Sequence, residues 1–191
     1  MEEFEILSAV LAGERERYGE VIARYQRRLY NYLYRFTNHR EECEDLVAET
    51  LAQGYLHLAE CRDFAKFPAW LFRIAHNLGV NRWRKLKKER ETNEELEPYG
   101  ATIPDGGRSS LEASAIREET EALEQFLREL DPKYRSALML FYLEGLSYEE
   151  IAEILGISLA AVKTHLFRGR KALEAKMTEW LREGVGLPQE V

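Results

Sequence analysis

Cysteine is nearly absent from these 191 residues. Cys43 and Cys61 alone cannot build a disulfide framework, and no C-x-x-C pair offers a zinc knuckle or a redox site. His39-x-x-x-Cys43 and His57-x-x-x-Cys61 share the i, i+4 spacing that metal ligands sometimes use, but such isolated pairs are ordinary surface or half-buried side chains. No metal and no cofactor are expected. The 5 Pro and 12 Gly are too few for a fibrous or low-complexity chain. Long apolar runs are missing as well. The longest, Ala137 to Leu143, falls far short of the roughly 20 residues a membrane span requires, so no membrane insertion is expected. The opening Met1-Glu2-Glu3-Phe4-Glu5 is acidic where a secretion signal is basic, and a cytoplasmic location is expected. There is no glycine-rich phosphate loop, and His39, His57, His76 and His165 have no evident nucleophile or carboxylate partner. An enzyme is not expected.

What the chain does contain is globular: 45% apolar and 32% charged residues, enough for one or two domains with their own cores. Its net charge of −7 is unevenly distributed. Residues 62–90 hold nine basic groups against two acidic ones, whereas residues 91–130 hold three against eleven. A second basic island, Lys163, Arg168, Arg170, Lys171 and Lys176 against Glu174 alone, occupies residues 158–176. Clustered Lys and Arg are the footprint of phosphate binding whatever the global charge.

The patterning predicts an all-α chain. Ile22, Tyr25, Leu29, Leu33 and Phe36 recur at steps of three and four, as do Val47, Leu51, Gly54 and Leu58, and then Phe67, Leu71, Ile74 and Leu78. A short helix near residues 3–12 precedes these three. Residues 93–110 carry two Pro, three Gly and no periodicity, which reads as a linker between two helical domains. The expected organisation is a first domain over 1–92, a flexible linker over 93–115, a second domain over 116–183 and a tail over 184–191. In the second domain Leu111 to Leu130 reads as a charged helix, and Asp131-Pro132 supplies an N-cap and an N1 proline for the next. Ser147-x-x-Glu150 is a capping box, Gly156 a helix stop and Ser158 the cap of a final long helix.

Leu146 to Ser158 thus encodes a short helix and a glycine turn into a second helix, with Ala152 small at the crossing and Ile151, Leu155, Ile157, Val162 and Leu166 available for a core. This is a helix-turn-helix. Its second helix enters a major groove by its first turns, with Ala160, Ala161, Lys163, Thr164, Phe167, Arg168 and Lys171 facing outward. The first domain has a second unusual surface. On the helix from Pro68 to about Lys88, the stripe Trp70, Arg73, Asn77, Asn81, Arg84 and Lys88 combines an aromatic with amides and cations, the groups that stack on unpaired bases, read their edges and neutralise phosphates. Trp70 could equally be core, and Trp83 could serve either role.

The run Cys43-Glu44-Asp45-Leu46-Val47-Ala48-Glu49-Thr50-Leu51, followed by Phe67 to Asn77, resembles the second conserved region of bacterial sigma factors. Asp131-Pro132-Lys133-Tyr134-Arg135 and Gly145 to Ala152 through Val162-Lys163-Thr164 resemble their fourth region. With a linker alone between the two, the chain resembles the extracytoplasmic-function group. The resemblance implies core RNA polymerase and promoter DNA as partners, together with an anti-sigma factor. It implies polymerase docking through Glu44, Asp45, Leu46 and Glu49, and recognition and melting of the −10 element through Trp70, Arg73, Asn77, Asn81 and Arg84. It implies −35 recognition through Arg135, Tyr148, Lys163, Thr164, Phe167, Arg168 and Lys171. The chain departs from the family at Ala48, where Gln is usual, at Ala160-Ala161, where Gly-Thr is usual, and at His165, where Arg is usual. The acidic linker could mimic RNA phosphates or simply be solvated. A helix-turn-helix repressor or activator acting without polymerase is the competing reading, and it leaves the stripe from Trp70 to Lys88 without a role.

Overall fold

The computed structural model describes residues 2–37, 39–92, 120 and 122–183. The expected linker and tail lie outside the described residues. Within them, all regular structure is helical: α1 (Glu2–Leu11), α2 (Tyr18–Thr37), α3 (Arg40–Leu56), α4 (Phe67–Thr92), α5 (residues 122–129), α6 (Pro132–Tyr142), α7 (Tyr148–Leu155) and α8 (Leu159–Glu183).

Helices α2, α3 and α4 pack on one another with α1 against α2. The buried stripe of α2 runs through Tyr18, Val21, Tyr25, Leu29, Leu33 and Phe36. Ile22, expected on that stripe, is instead 38% exposed, because Val21 takes the inward position one residue round the helix. On α3, Val47, Leu51 and Gly54 are buried as expected, and Leu58 is buried in the turn that follows. On α4 the expected Phe67 and Leu71 are fully buried, but Phe72 and Ala75 join them while Ile74 and Leu78 are only half-buried. Helix α4 is covered by α2 and α3 on one side and by α7 on another, so its apolar face is broader than a single stripe.

The second unit follows its capping signals. The Asp131 carboxylate accepts from the backbone N–H of Lys133 at 3.0 Å with Pro132 at the first helical position. Ser147 and Glu150 form the reciprocal capping box, Gly156 closes α7 in the left-handed conformation (φ 63°), and Ser158 accepts from the N–H of Ala161 at 3.2 Å. Ile151, Ile154, Val162 and Leu166 form the buried crossing. Leu155 and Ile157, expected in that core, are half-buried, with Ile154 taking the inner position.

The two units meet along a seam. Helix α7 lies on α4. Arg28 of α2 pairs with Glu144 at 2.7 Å, Arg35 with Glu124 at 3.5 Å, and Lys66 with Glu153 at 3.8 Å. At the centre Arg135 is 2% exposed. Its guanidinium donates to the carbonyls of Arg128 (2.8 Å) and Leu130 (2.9 Å) and to that of Arg35 across the seam, and it stands over the Phe36 ring at 5.5 Å. The sequence reading placed Arg135 at DNA. In this arrangement it is an internal structural group, because it sits on the inner face of α6 beneath the α5–α6 turn.

A close approach fixes the α3–α4 contact. A Cβ on Gly54 would stand 2.8 Å from both Leu71 Cδ1 and Tyr18 Oη, whereas one on Gly19 would meet nothing. Gly54→Ala is therefore expected to destabilise by about 1–3 kcal/mol through overpacking, against the helix-propensity gain. Gly19→Ala is expected to stabilise by up to about 1 kcal/mol, and urea denaturation of the two variants beside the parent checks the opposite signs.

Candidate nucleic-acid interface

Helix α4 carries one exposed polar face because its other faces are anchored. The Tyr32 hydroxyl and His76 Nδ1 share a hydrogen bond at 2.9 Å, and Arg82 donates from Nε to Glu42 of α3 at 3.0 Å. These contacts set the rotation of the helix and leave Arg73, Asn77, Asn81, Arg84 and Lys88 exposed in one row. Neither Arg73 nor Arg84 has a carboxylate partner among the described residues, so both charges remain available to phosphate. Trp70 opens this row half-buried. Its ring lies 5.8 Å from Phe67, so part of the indole packs on the core and part faces outward. Trp83 is half-buried with Lys87 Nζ 5.6 Å from its ring centroid.

The second basic face lies on α8. Lys163, Thr164, Phe167, Arg168, Arg170 and Lys171 are exposed, and none of the four cations is paired with a carboxylate among the described residues. Lys176, one turn further, is instead bonded to Glu129. Tyr148 starts α7 half-buried, with its ring 5.3 Å from Phe141. His165, expected near phosphates, turns inward: it is half-buried with its ring 5.4 Å from Tyr134, and burial together with the Lys133 charge lowers its pKa.

Helix α3 offers an acidic face of Glu44, Asp45 and Glu49, all exposed. Glu44 is held by Arg40 at 2.8 Å and Glu49 by Gln53 at 3.0 Å. Leu46, expected on the same face, is only 9% exposed and belongs to the core, because the helix turns it toward α2 and α4 beside Val47. The sequence reading missed the groove next to this face. A cavity of about 710 Å³ between α2 and α3 is lined by Ile22, Tyr30, Val47, Ala48, Leu51 and Tyr55, with Glu44 and Arg27 among its polar groups. The exposed Ile22 was the available signal, but apolar spacing alone assigned it to the core. Of the two His/Cys pairs, the Cys43 thiol is buried against the Tyr30 carbonyl and pushed up to about 12 by that burial, while His57 pairs with Glu60 at 2.8 Å.

Residues 21–89 match Sigma-70 region 2 and residues 120–173 match Sigma-70, region 4. The chain is 30% identical over 179 residues to the ECF RNA polymerase sigma factor SigW of Bacillus subtilis, covering 91% of this chain and 95% of that protein. It is 34% identical over 156 residues to SigM of the same organism, covering 82% and 92%. Among solved structures it resembles the sigma factor RpoE of Bartonella quintana, determined with the anti-sigma factor NepR (TM-score 0.69, 22% identity, 84% of this chain and 96% of that one). It also resembles CnrH, determined with the cytosolic domain of CnrY (TM-score 0.66, 23% identity, 93% and 97%). At these identities the two structures establish the shared fold.

The anchoring of α4 is titratable. Burial, with a smaller contribution from the Arg84 charge, lowers the His76 pKa from 6.5 to about 4. The unfolded chain then binds the extra proton between those values, so stability is fully present above about pH 6.5 and declines as pH falls toward 4. His76→Gln is expected to reduce that decline, measured as the difference in unfolding free energy between variant and parent at pH 7, 6 and 5. Identical pH slopes would show that His76 does not titrate in this way.

Proposed function

Because the chain belongs to the extracytoplasmic-function sigma factors, which direct promoter-specific transcription by core RNA polymerase, we propose a division of that work among three of its surfaces. Residues 1–92 dock on polymerase and open the −10 element, residues 116–183 read the −35 element, and residues 93–115 connect them. Glu44, Asp45 and Glu49 face the polymerase, and the groove beside them takes apolar side chains from the same partner. Trp70, Arg73, Asn77, Asn81 and Arg84 engage the opened −10 strand. Tyr148, Lys163, Thr164, Phe167, Arg168 and Lys171 engage the −35 duplex. The observation that carries this reading is the exposed row on α4. A helix-turn-helix regulator working alone needs only α8, and the amides and cations of α4 have no task in it. Bond-making belongs to the polymerase, and this chain acts in the cytoplasm without catalysis of its own. By analogy with the relative solved with an anti-sigma factor, such a protein is a further partner.

The seam must part for this work. The −35 and −10 elements lie about 25 base pairs apart, roughly 85 Å at 3.4 Å per step, while a packed chain of this length is only about 40 Å across. The chain between Thr92 and Thr120 can reach about 90 Å when extended, enough to hold both units on one promoter. Polymerase, by binding the units separately, supplies the free energy of opening, and the closed form keeps the free protein off promoters. Reversing one seam charge, Glu144→Arg, is expected to enlarge the free protein's radius of gyration in small-angle scattering while holoenzyme transcription persists. An unchanged radius would place the restraint elsewhere.

Melting separates a sigma factor from other DNA readers. Unstacking costs a few kcal/mol per step, recovered by stacking and by hydrogen bonds to the extruded base, and Asn77 carries both a donor and an acceptor. Asn77→Ala is expected to leave polymerase binding nearly intact and to reduce permanganate reactivity of thymines near the start site. Asp45→Arg is expected to do the reverse, lowering affinity for core polymerase. Wild-type opening by Asn77→Ala would remove Asn77 from the base-reading surface.

A further inference from the structure

The polar row on α4 does not stop where the helix starts. Lys66 stands just before the first residue of α4, and the steps from Lys66 through Trp70 and Arg73 to Asn77 are four, three and four. A strand that follows the row past Trp70 therefore meets the turn over residues 61–66. That turn exposes two cations, Arg62 and Lys66. Lys66 reaches Glu153 across the seam at 3.8 Å with both side chains solvated, a pair that parting of the units releases.

Local hydrogen bonds fix the shape of the turn. The Asp63 carboxylate accepts from the N–H of Ala65 at 3.0 Å, and the Asp63 carbonyl accepts from the N–H of Lys66 at 3.0 Å. Where the turn sits is a separate matter. Arg62, Asp63, Ala65 and Lys66 all face solvent, and between the buried Cys61 and Phe67 only Phe64 is half-buried. Its ring lies 5.6 Å from that of Phe4, inclined at 60°. Phe4 stands on α1, which is seated by Ile6, Leu7 and Val10 in the core and tied to α2 by the Arg24–Glu2 pair at 2.8 Å and by the Tyr25 hydroxyl, which donates to Glu3. Tyr25 in turn meets Phe67, the first residue of α4, edge-on at 5.7 Å. The turn is thus held between α4, which it enters, and α1, which braces it through one ring. Phe4 is nevertheless 62% exposed, so it adds little to the core itself.

We infer that Phe4 is a positioning residue for promoter opening: through Phe64 it holds residues 61–66 so that Arg62 and Lys66 prolong the α4 row toward the phosphates of the opened strand. This rests on the assignment of α4 to the −10 strand. Phe4 itself touches no DNA. Without the brace, the turn must be ordered at the moment the strand binds, and that entropy cost lowers the opening equilibrium.

The test uses holoenzyme assembled from the full chain and core polymerase on a promoter that the parent opens, read by permanganate reactivity of thymines near the start site. Phe4→Ala is expected to reduce that reactivity about two- to tenfold, the span of one aromatic pair, with affinity for core polymerase unchanged. Phe4→Tyr, which keeps the ring, should open as the parent does. Phe64→Ala should lose as much as Phe4→Ala, and the double variant no more than either, because both remove the same contact. Leu11→Ala removes another exposed apolar side chain of α1 and should leave opening unchanged. Parental opening by Phe4→Ala overturns the inference. So do losses that add in the double variant, which would mean that Phe4 acts on DNA directly, and an equal loss in Leu11→Ala, which would mean that α1 acts through general stability. Asn77→Ala separates this failure from a wider one. If Phe4→Ala opens normally and Asn77→Ala does not, the role of Phe4 alone falls; if both open normally, the −10 assignment of α4 falls with it.

Discussion

A single buried guanidinium holds the two helical units in register. Among the described residues Arg135 makes no ion pair with a carboxylate; backbone carbonyls of Arg128, Leu130 and Arg35, together with the face of Phe36, compensate its charge. Burial pulls its pKa down to about 10, still well above neutrality, so the group remains a cation. Such a group tolerates little change, since removing it orphans carbonyls at the α5–α6 turn and at the end of α2. It thereby ties the start of the helix-turn-helix unit to the core of the first unit, and the Arg28–Glu144, Arg35–Glu124 and Lys66–Glu153 pairs extend that tie.

The same joint is asymmetric. Only the Arg35 carbonyl lies across the seam from Arg135, while the Arg128 and Leu130 carbonyls belong to its own unit. Two of the three guanidinium hydrogen bonds are therefore internal to that unit. Of the ion pairs, Lys66–Glu153 is exposed, whereas both partners of Arg35–Glu124 are largely covered and Glu144 is only 5% exposed beside a half-exposed Arg28. The seam thus combines one shared carbonyl, three ion pairs, the α4–α7 contact and an apolar core continuous across both units.

Charge placement then explains how an acidic protein works on nucleic acid. Among the described residues Arg73 and Arg84 of α4 and Lys163, Arg168, Arg170 and Lys171 of α8 have no carboxylate partner, while Lys176, Arg40 and Arg28 are paired with neighbouring carboxylates. Net charge −7 weakens indiscriminate attraction to DNA, and under the proposed function the two basic faces gain strength when polymerase docking joins them.

Much of this was legible in the chain alone. Capping and turn chemistry act over a few residues, so Asp131-Pro132, Ser147 with Glu150, Gly156 and Ser158 located the helix-turn-helix without any tertiary information. The α4 row was equally readable, because helical spacing places Arg73, Asn77, Asn81 and Arg84 together whatever lies behind them. Packing decided what periodicity cannot distinguish. Ile22 and Val21 are adjacent and equally apolar, and only the positions of α3 and α4 turned Val21 inward and left Ile22 on a groove. Leu46 followed its apolar character into the core although its neighbours Glu44 and Asp45 face solvent. Arg135, expected at DNA, and His165, standing where Arg is usual, both turn inside, since a buried polar group depends on partners from distant segments: the carbonyl of Arg35 for one, the Tyr134 ring for the other. Local sequence sets which helices form and what each can display, and the meeting of the helices sets which of those displayed groups remain free to act.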